Sequence, residues 1–75
     1  MRYTKKDYVL RCGDRFVAGG LFGEHILIDR NEFLLSFDTE EDAYIAKNTS
    51  RNEEVRNNAR VYERNVLITY EACDQ

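Results

Sequence analysis

Seventy-five residues allow one small domain with a thin core, because a chain of this length buries only about 60% of the surface it exposes when unfolded. Six basic against five acidic residues over 1–37, and five against nine over 38–75, leave a net charge of −3 that works against phosphate-driven nucleic-acid binding. One histidine and two cysteines 61 positions apart do not supply the spacing or the number of ligands that zinc requires, and no apolar run approaches the ~20 residues of a membrane span.

Met1 to Lys6 are expected to form a frayed tail. Tyr8, Val9, Leu10, Arg11 and Cys12 then read as a strand, and Arg15, Phe16, Val17 and Ala18 as its partner. Between them Gly13 and Asp14 fit a two-residue type II′ turn, with glycine at the first central position. Gly19, Gly20, Leu21, Phe22 and Gly23 break regular structure. Two further apolar runs, residues 25–28 and 33–37, flank a polar stretch and read as a second hairpin.

Helix signals begin at Asp38 and Thr39. The acidic residues Glu40, Glu41 and Asp42 favour the positive end of a helix dipole, and Ala43, Tyr44, Ile45 and Ala46 supply apolar content. Ser50 and Glu53 match a capping box. Val55, Ala59 and Tyr62 fall on one face of a second helix, with Arg56, Arg60 and Arg64 on another. A competing reading runs the closing strand, residues 66–70, back to Ala59. Residues 71–75 complete the chain as a tail. The order predicts an α+β fold: a small antiparallel β-sheet of two hairpins plus a C-terminal strand, with one or two helices packed on one face. Tyr8, Leu10, Phe16, Leu35, Phe37, Ala43, Ile45 and Ile68 are its expected core.

None of the chemistry-bearing residues forms a catalytic pattern. The glycines at 19–23 precede a strand rather than a helix, so they lack the context of a phosphate loop. His25 has no nominated nucleophile or second base, and no catalytic residue, metal or other cofactor is expected. Leu21 and Phe22 either fold back onto the core, the expected outcome, or stand out as an anchor for a partner. Asp38, Glu40, Glu41 and Asp42 cap a helix and can also face a basic partner surface. Arg56, Arg60 and Arg64, with Tyr62, offer the alternative of a nucleic-acid contact, although interleaved Glu53, Glu54 and Glu63 favour a solvated face. Cys12, among apolar strand residues, reads as buried and inert. The opening residues lead into no signal-like apolar core, so a cytoplasmic chain with free thiols at Cys12 and Cys73 is expected.

Residues 8–17, with their apolar strand, Gly-Asp turn and Arg-Phe-Val strand, and residues 37–43, Phe-Asp-Thr-Glu-Glu-Asp-Ala, resemble small accessory proteins of bacteriophages and prophages from Gram-positive bacteria. The resemblance covers about a quarter of the chain and brings no catalytic residues with it. It implies a phage protein that binds and modulates a host or phage protein. The expected function is therefore that of a non-enzymatic protein-binding module. Residues 25–28 and 66–70 contain neither Pro nor Lys, so as sheet edges they are open to self-association or partner docking, and a homodimer is expected.

Overall fold

A computed structural model describes residues 1–73 of the chain. Among these residues, five strands and two helices follow in the order β1 (Arg2–Cys12), β2 (Arg15–Gly19), β3 (His25–Ile28), β4 (Ser36–Phe37), α1 (Glu40–Asn48), α2 (Glu53–Asn58) and β5 (Arg60–Thr69). All strand pairs are antiparallel, and both helices contact β1. This is the expected α+β class.

β1 organises the sheet. One of its edges pairs with β5 along its length, from Arg2 opposite Thr69 to Arg11 opposite Arg60. Its other edge is shared. Cys12 and Arg11 pair with Arg15 and Phe16 across the turn, and farther back Tyr8 and Val9 pair with Phe37 and Ser36. β1 and β2 therefore splay apart after two residues, and the segment leading into β4 fills the split: the Leu35 N–H donates to the Val17 carbonyl. β3 lies on the far side of β2, from Phe16 opposite Ile28 to Gly19 opposite His25.

The turn between β1 and β2 has the expected chemistry. Gly13 adopts φ 61° and Asp14 stays out of the positive-φ region, the type II′ pattern that matches hairpin twist. Two hairpins are present, but the second joins β3 to β2 rather than to residues 33–37. Only Ser36 and Phe37 of that run form a strand, and they pair with β1. Phe33, at φ 56° and almost wholly exposed, stands where the chain changes direction before them.

Alternation along each strand separates two faces. Leu10, Cys12 and Val17 face the helices, where they meet Ala43 of α1, Val55 of α2 and Ala59. Tyr8, Leu27, Leu35, Phe37 and Val61 close this cluster at its margins. α1 buries only its small Ala43, which lets the helix sit close to the sheet, and it leaves Ile45 54% exposed. Ile45 is thus not the core residue it was expected to be. Phe16 and Ile68 are half-buried on the opposite face, because the registers Arg11 to Phe16 and Tyr3 to Ile68 put them away from the helices.

Three other expectations are corrected. α2 is one short helix ending at Asn58, and the competing reading holds: Ala59 turns the chain into β5, whose ten residues pair with β1. The α2 N-cap is Asn52, whose Oδ1 accepts from the N–H groups of Glu54 and Val55, not Ser50. Finally, Arg2 to Lys6 are not frayed but pair with Asn65 to Thr69 as a two-stranded ribbon projecting from the helix-covered body. The ribbon gives the molecule its 51 Å length against 24 and 22 Å in the other directions. Residues 71–73 have no regular structure, and the rest of the expected C-terminal tail, residues 74 and 75, lies outside the described residues.

Candidate partner-binding surface

The loop between β2 and β3 is short and tied at both ends. The Gly20 N–H donates to the Glu24 carbonyl at 2.7 Å, and the Gly23 N–H to the Gly20 carbonyl at 3.2 Å. Glu24 also folds its carboxylate back to accept from the Phe22 N–H at 3.3 Å. Gly23 sits at φ 80°, a conformation that residues with a Cβ adopt at a cost. These constraints hold Leu21 and Phe22 at the tip, where they are 97% and 92% exposed. The expectation that they return to the core fails for a geometric reason. The four-residue β3 must pair at once with β2, so the connection is too tight to turn two large side chains inward.

Behind the tip lies an open cleft of about 570 Å³, lined by Phe22, Gly23, Glu24, His25, Ala46, Thr49, Ser50 and Arg51. Its floor is a polar strut. Buried Ser50 shares a 2.8 Å hydrogen bond between its Oγ and His25 Nδ1, and the same oxygen accepts from the Asn52 N–H at 3.2 Å. Asn52 Nδ2 donates to the His25 carbonyl at 3.0 Å, and the Arg56 guanidinium donates to the Ser50 carbonyl at 2.8 Å. A serine beside a histidine is the arrangement of an activated nucleophile. Here, however, Ser50 is only 4% exposed, which leaves little room for a substrate at its hydroxyl, and the oxygen also accepts from the Asn52 N–H. What the group does is lash the β3 end of the loop to the junction between the helices, so that Phe22 is presented from a fixed base. Ser50 and Arg51 were not among the residues nominated from sequence. They lie 25 and 26 positions from His25, and only the packing of the α1 to α2 junction over β3 brings them together.

The acidic residues sit elsewhere. Thr39 caps α1, its Oγ1 accepting from the Asp42 N–H at 3.1 Å, and Asp38, Glu40, Glu41 and Asp42 are all exposed. The cleft touches Ala46 and Thr49 toward the other end of the helix, so the acidic turn stands about one to two turns of α1 away from it. The structure therefore splits the nominated residues into two patches. Among the described residues, no three His, Cys, Asp or Glu side chains are grouped to hold a metal ion.

The arginines do not form a row. Arg56 is on α2 and is spent on the Ser50 carbonyl, while Arg60 lies on β5 opposite Arg11. Arg64 grips Asp7 with two bonds, Nε to Oδ1 at 2.9 Å and Nη2 to Oδ2 at 2.7 Å. That grip holds the buried Asp7 carboxyl below the usual carboxylate range, the hydrogen bond outweighing the opposing cost of burial. The helical face proposed for phosphate contact is thus absent, because residues 60–64 are strand. Arg11 lies over the rings of Phe16 and Tyr62, with centroid distances of 4.8 and 5.1 Å, so Tyr62 is also engaged.

Both cysteines are free. Cys12 is buried, and desolvation pushes its thiol above the ordinary range, with nearby Glu54 adding to the shift. Cys73 is exposed. No helix is long and apolar enough to cross a membrane among the described residues. The chain matches no family model, no curated protein and no solved structure.

Proposed function

We propose that this chain is a non-enzymatic protein-binding module whose anchor is the Leu21 and Phe22 tip. The observation that carries the reading is the near-complete exposure of two adjacent large apolar side chains on a loop fixed by its own hydrogen bonds. A preformed anchor loses little freedom on docking, and fully desolvated apolar anchors supply much of the energy of an interface. The partner is a protein offering an apolar pocket for the tip. Its basic residues would meet Asp38, Glu40, Glu41 and Asp42, since a standard interface covers about 800 Å² per side, a patch roughly 30 Å across. In keeping with the resemblance of residues 8–17 and 37–43, we propose a cytoplasmic host protein as that partner, modulated or inhibited by a phage-encoded chain.

The test is affinity capture from bacterial lysate with the parent and a Leu21→Ser, Phe22→Ser double variant, read by quantitative mass spectrometry. At least one protein should be recovered by the parent and fall more than roughly tenfold with the variant, which is the scale of losing an anchor residue. The melting temperature should not fall, because neither side chain contributes to the core. An unchanged set of captured proteins would sink the proposal.

A further inference from the structure

The exposed edge of β5 is a separate surface from the tip. Tyr70 and Met1 exchange both main-chain hydrogen bonds, Tyr70 N–H to the Met1 carbonyl at 2.7 Å and the Met1 amine to the Tyr70 carbonyl at 3.2 Å. Antiparallel ladders alternate hydrogen-bonded and non-hydrogen-bonded pairs. Stepping by two through the register assigns the main-chain groups of Ile68, Val66, Arg64, Tyr62 and Arg60 to β1. The N–H and C=O groups of Val61, Glu63, Asn65, Leu67 and Thr69 must then point to the other edge, where no strand of the described chain pairs.

This edge differs from the rest of the sheet boundary. β3 at the opposite side is four residues long, and Asn52 already occupies its His25 carbonyl. The open edge of β1 beside the ribbon carries Lys5 and Lys6, the residue type that most discourages strand addition. β5 has ten residues, no Pro and no Lys.

We infer that β5 pairs antiparallel with β5 of a second copy of this chain, around a two-fold axis through Asn65. Continuity of the two sheet faces requires odd-numbered residues to meet odd-numbered ones. With the axis at Asn65, Val61 meets Thr69, Glu63 meets Leu67 and Asn65 meets its own copy. All five outward residues on each chain are then satisfied, about ten main-chain hydrogen bonds. On the other face Tyr62 meets Ile68 and Arg64 meets Val66. Moving the axis to Glu63 or Arg64 sets like charges directly opposite, which is unfavourable, and moving it to Val66 leaves Val61 without a partner within the strand. The Asn65 register alone among these satisfies every outward group and keeps like charges apart.

Sedimentation equilibrium of the full chain at rising concentration tests this, with a mass of twice 8.9 kDa expected at high micromolar concentration. Leu67→Glu sets two Glu pairs across the axis and should weaken the dimer roughly tenfold, whereas Leu67→Lys, facing Glu63, should leave it at least as tight as the parent. Asn65→Pro removes an outward N–H without touching a bond to β1 and should abolish the dimer. Circular dichroism melts establish that each variant folds, and the Leu67 pair decides the matter if the proline variant does not. A monomer throughout the concentration range, including one that binds extended peptides of other proteins instead, would overturn the inference. So would equal dissociation constants for the two Leu67 variants.

Discussion

The two halves of β1 belong to one hydrogen-bonded ladder with β5, yet they are stabilised differently. From Asp7 to Cys12 the strand holds three of the buried apolar side chains, Leu10 and Cys12 beneath the helices and Val9 on the opposite face. From Arg2 to Lys6 it has β5 alone, and every residue is exposed. Main-chain hydrogen bonds are present in both halves, but each contributes only about 1 kcal/mol net, because water competes for the same groups. Burial makes the difference: a fully buried Leu or Val stabilises by roughly 1.5–3 kcal/mol. The ribbon compensates only in part, through half-buried Val66 and Ile68 and the Tyr3 ring stacked on Tyr70 at 6.0 Å. A two-stranded ribbon of this kind is marginal by itself and depends on the body for its register.

One substitution in each half separates them directly. Leu10→Ala, at a wholly buried position, should cost about 3–5 kcal/mol and leave so small a domain mostly unfolded. Leu67→Ala, 60% exposed on the ribbon, should stay within about 0.5 kcal/mol in urea denaturation at concentrations low enough for a monomer. Comparable losses at the two sites would mean that ribbon and body share one core.

The boundary between them is the Asp7 and Arg64 pair. Arg64→Ala strands a carboxylate that is only 4% exposed and should cost about 2–3 kcal/mol, less than a fully buried pair because Arg64 itself is partly solvated. The sign of the pH dependence follows from the lowered pKa of Asp7. Its stabilisation is complete above the ordinary aspartate value of about 3.9 and fades as pH falls through the lower folded value. An acid titration of stability should therefore show parent and Asp7→Asn converging below that range, and a constant gap would show that Asp7 does not titrate through this contact.

Within the body, Asn52→Ala removes the α2 cap and the bond to the His25 carbonyl together. A loss of about 1–2 kcal/mol is expected from thermal melts. The smallest effect is kinetic. Amides of Val9 and Arg11, which face β5 within the body, should exchange with solvent more slowly than those of Tyr3 and Lys5, which face it in the ribbon. Equal protection would show that the ribbon opens only when the whole domain does.

Local chemistry was readable without the fold. The Gly13 and Asp14 turn, the Thr39 cap with its acidic first turn, and the alternation of the strands flanking that turn each depend on residues a few positions apart. Leu10, Ala43, Phe37 and Leu35 read as core from the same local patterns, and they lie in it or at its margin. The split of β1 and β2 by Leu35 was not legible, because it depends on which edge β4 reaches after a loop. Nor was the ribbon: Lys5, Lys6 and Asp7 look like a solvated tail until β5 arrives from more than 55 residues away to pair with them.

The candidate surface divides along the same line. Leu21, Phe22 and the acidic residues were nominated from sequence because apolar residues between glycines and carboxylates after a cap are local patterns. Their exposure, their separation along α1, and the Ser50, His25 and Asn52 strut behind Phe22 were decided by tertiary packing. The same holds for the arginines. Arg56, Arg60 and Arg64 share a helical spacing, but the strand preference of residues 66–68 spreads backward once β1 supplies a hydrogen-bonding edge as far as Arg11. Turn type, caps and the hydrophobic alternation of the first hairpin arise from interactions within a few residues, so they are legible in the chain alone. Where the last helix yields to strand, which arginine meets Asp7 and which edge is left open are set by the folded arrangement. Those outcomes depend on pairing partners that the chain acquires only when distant segments meet.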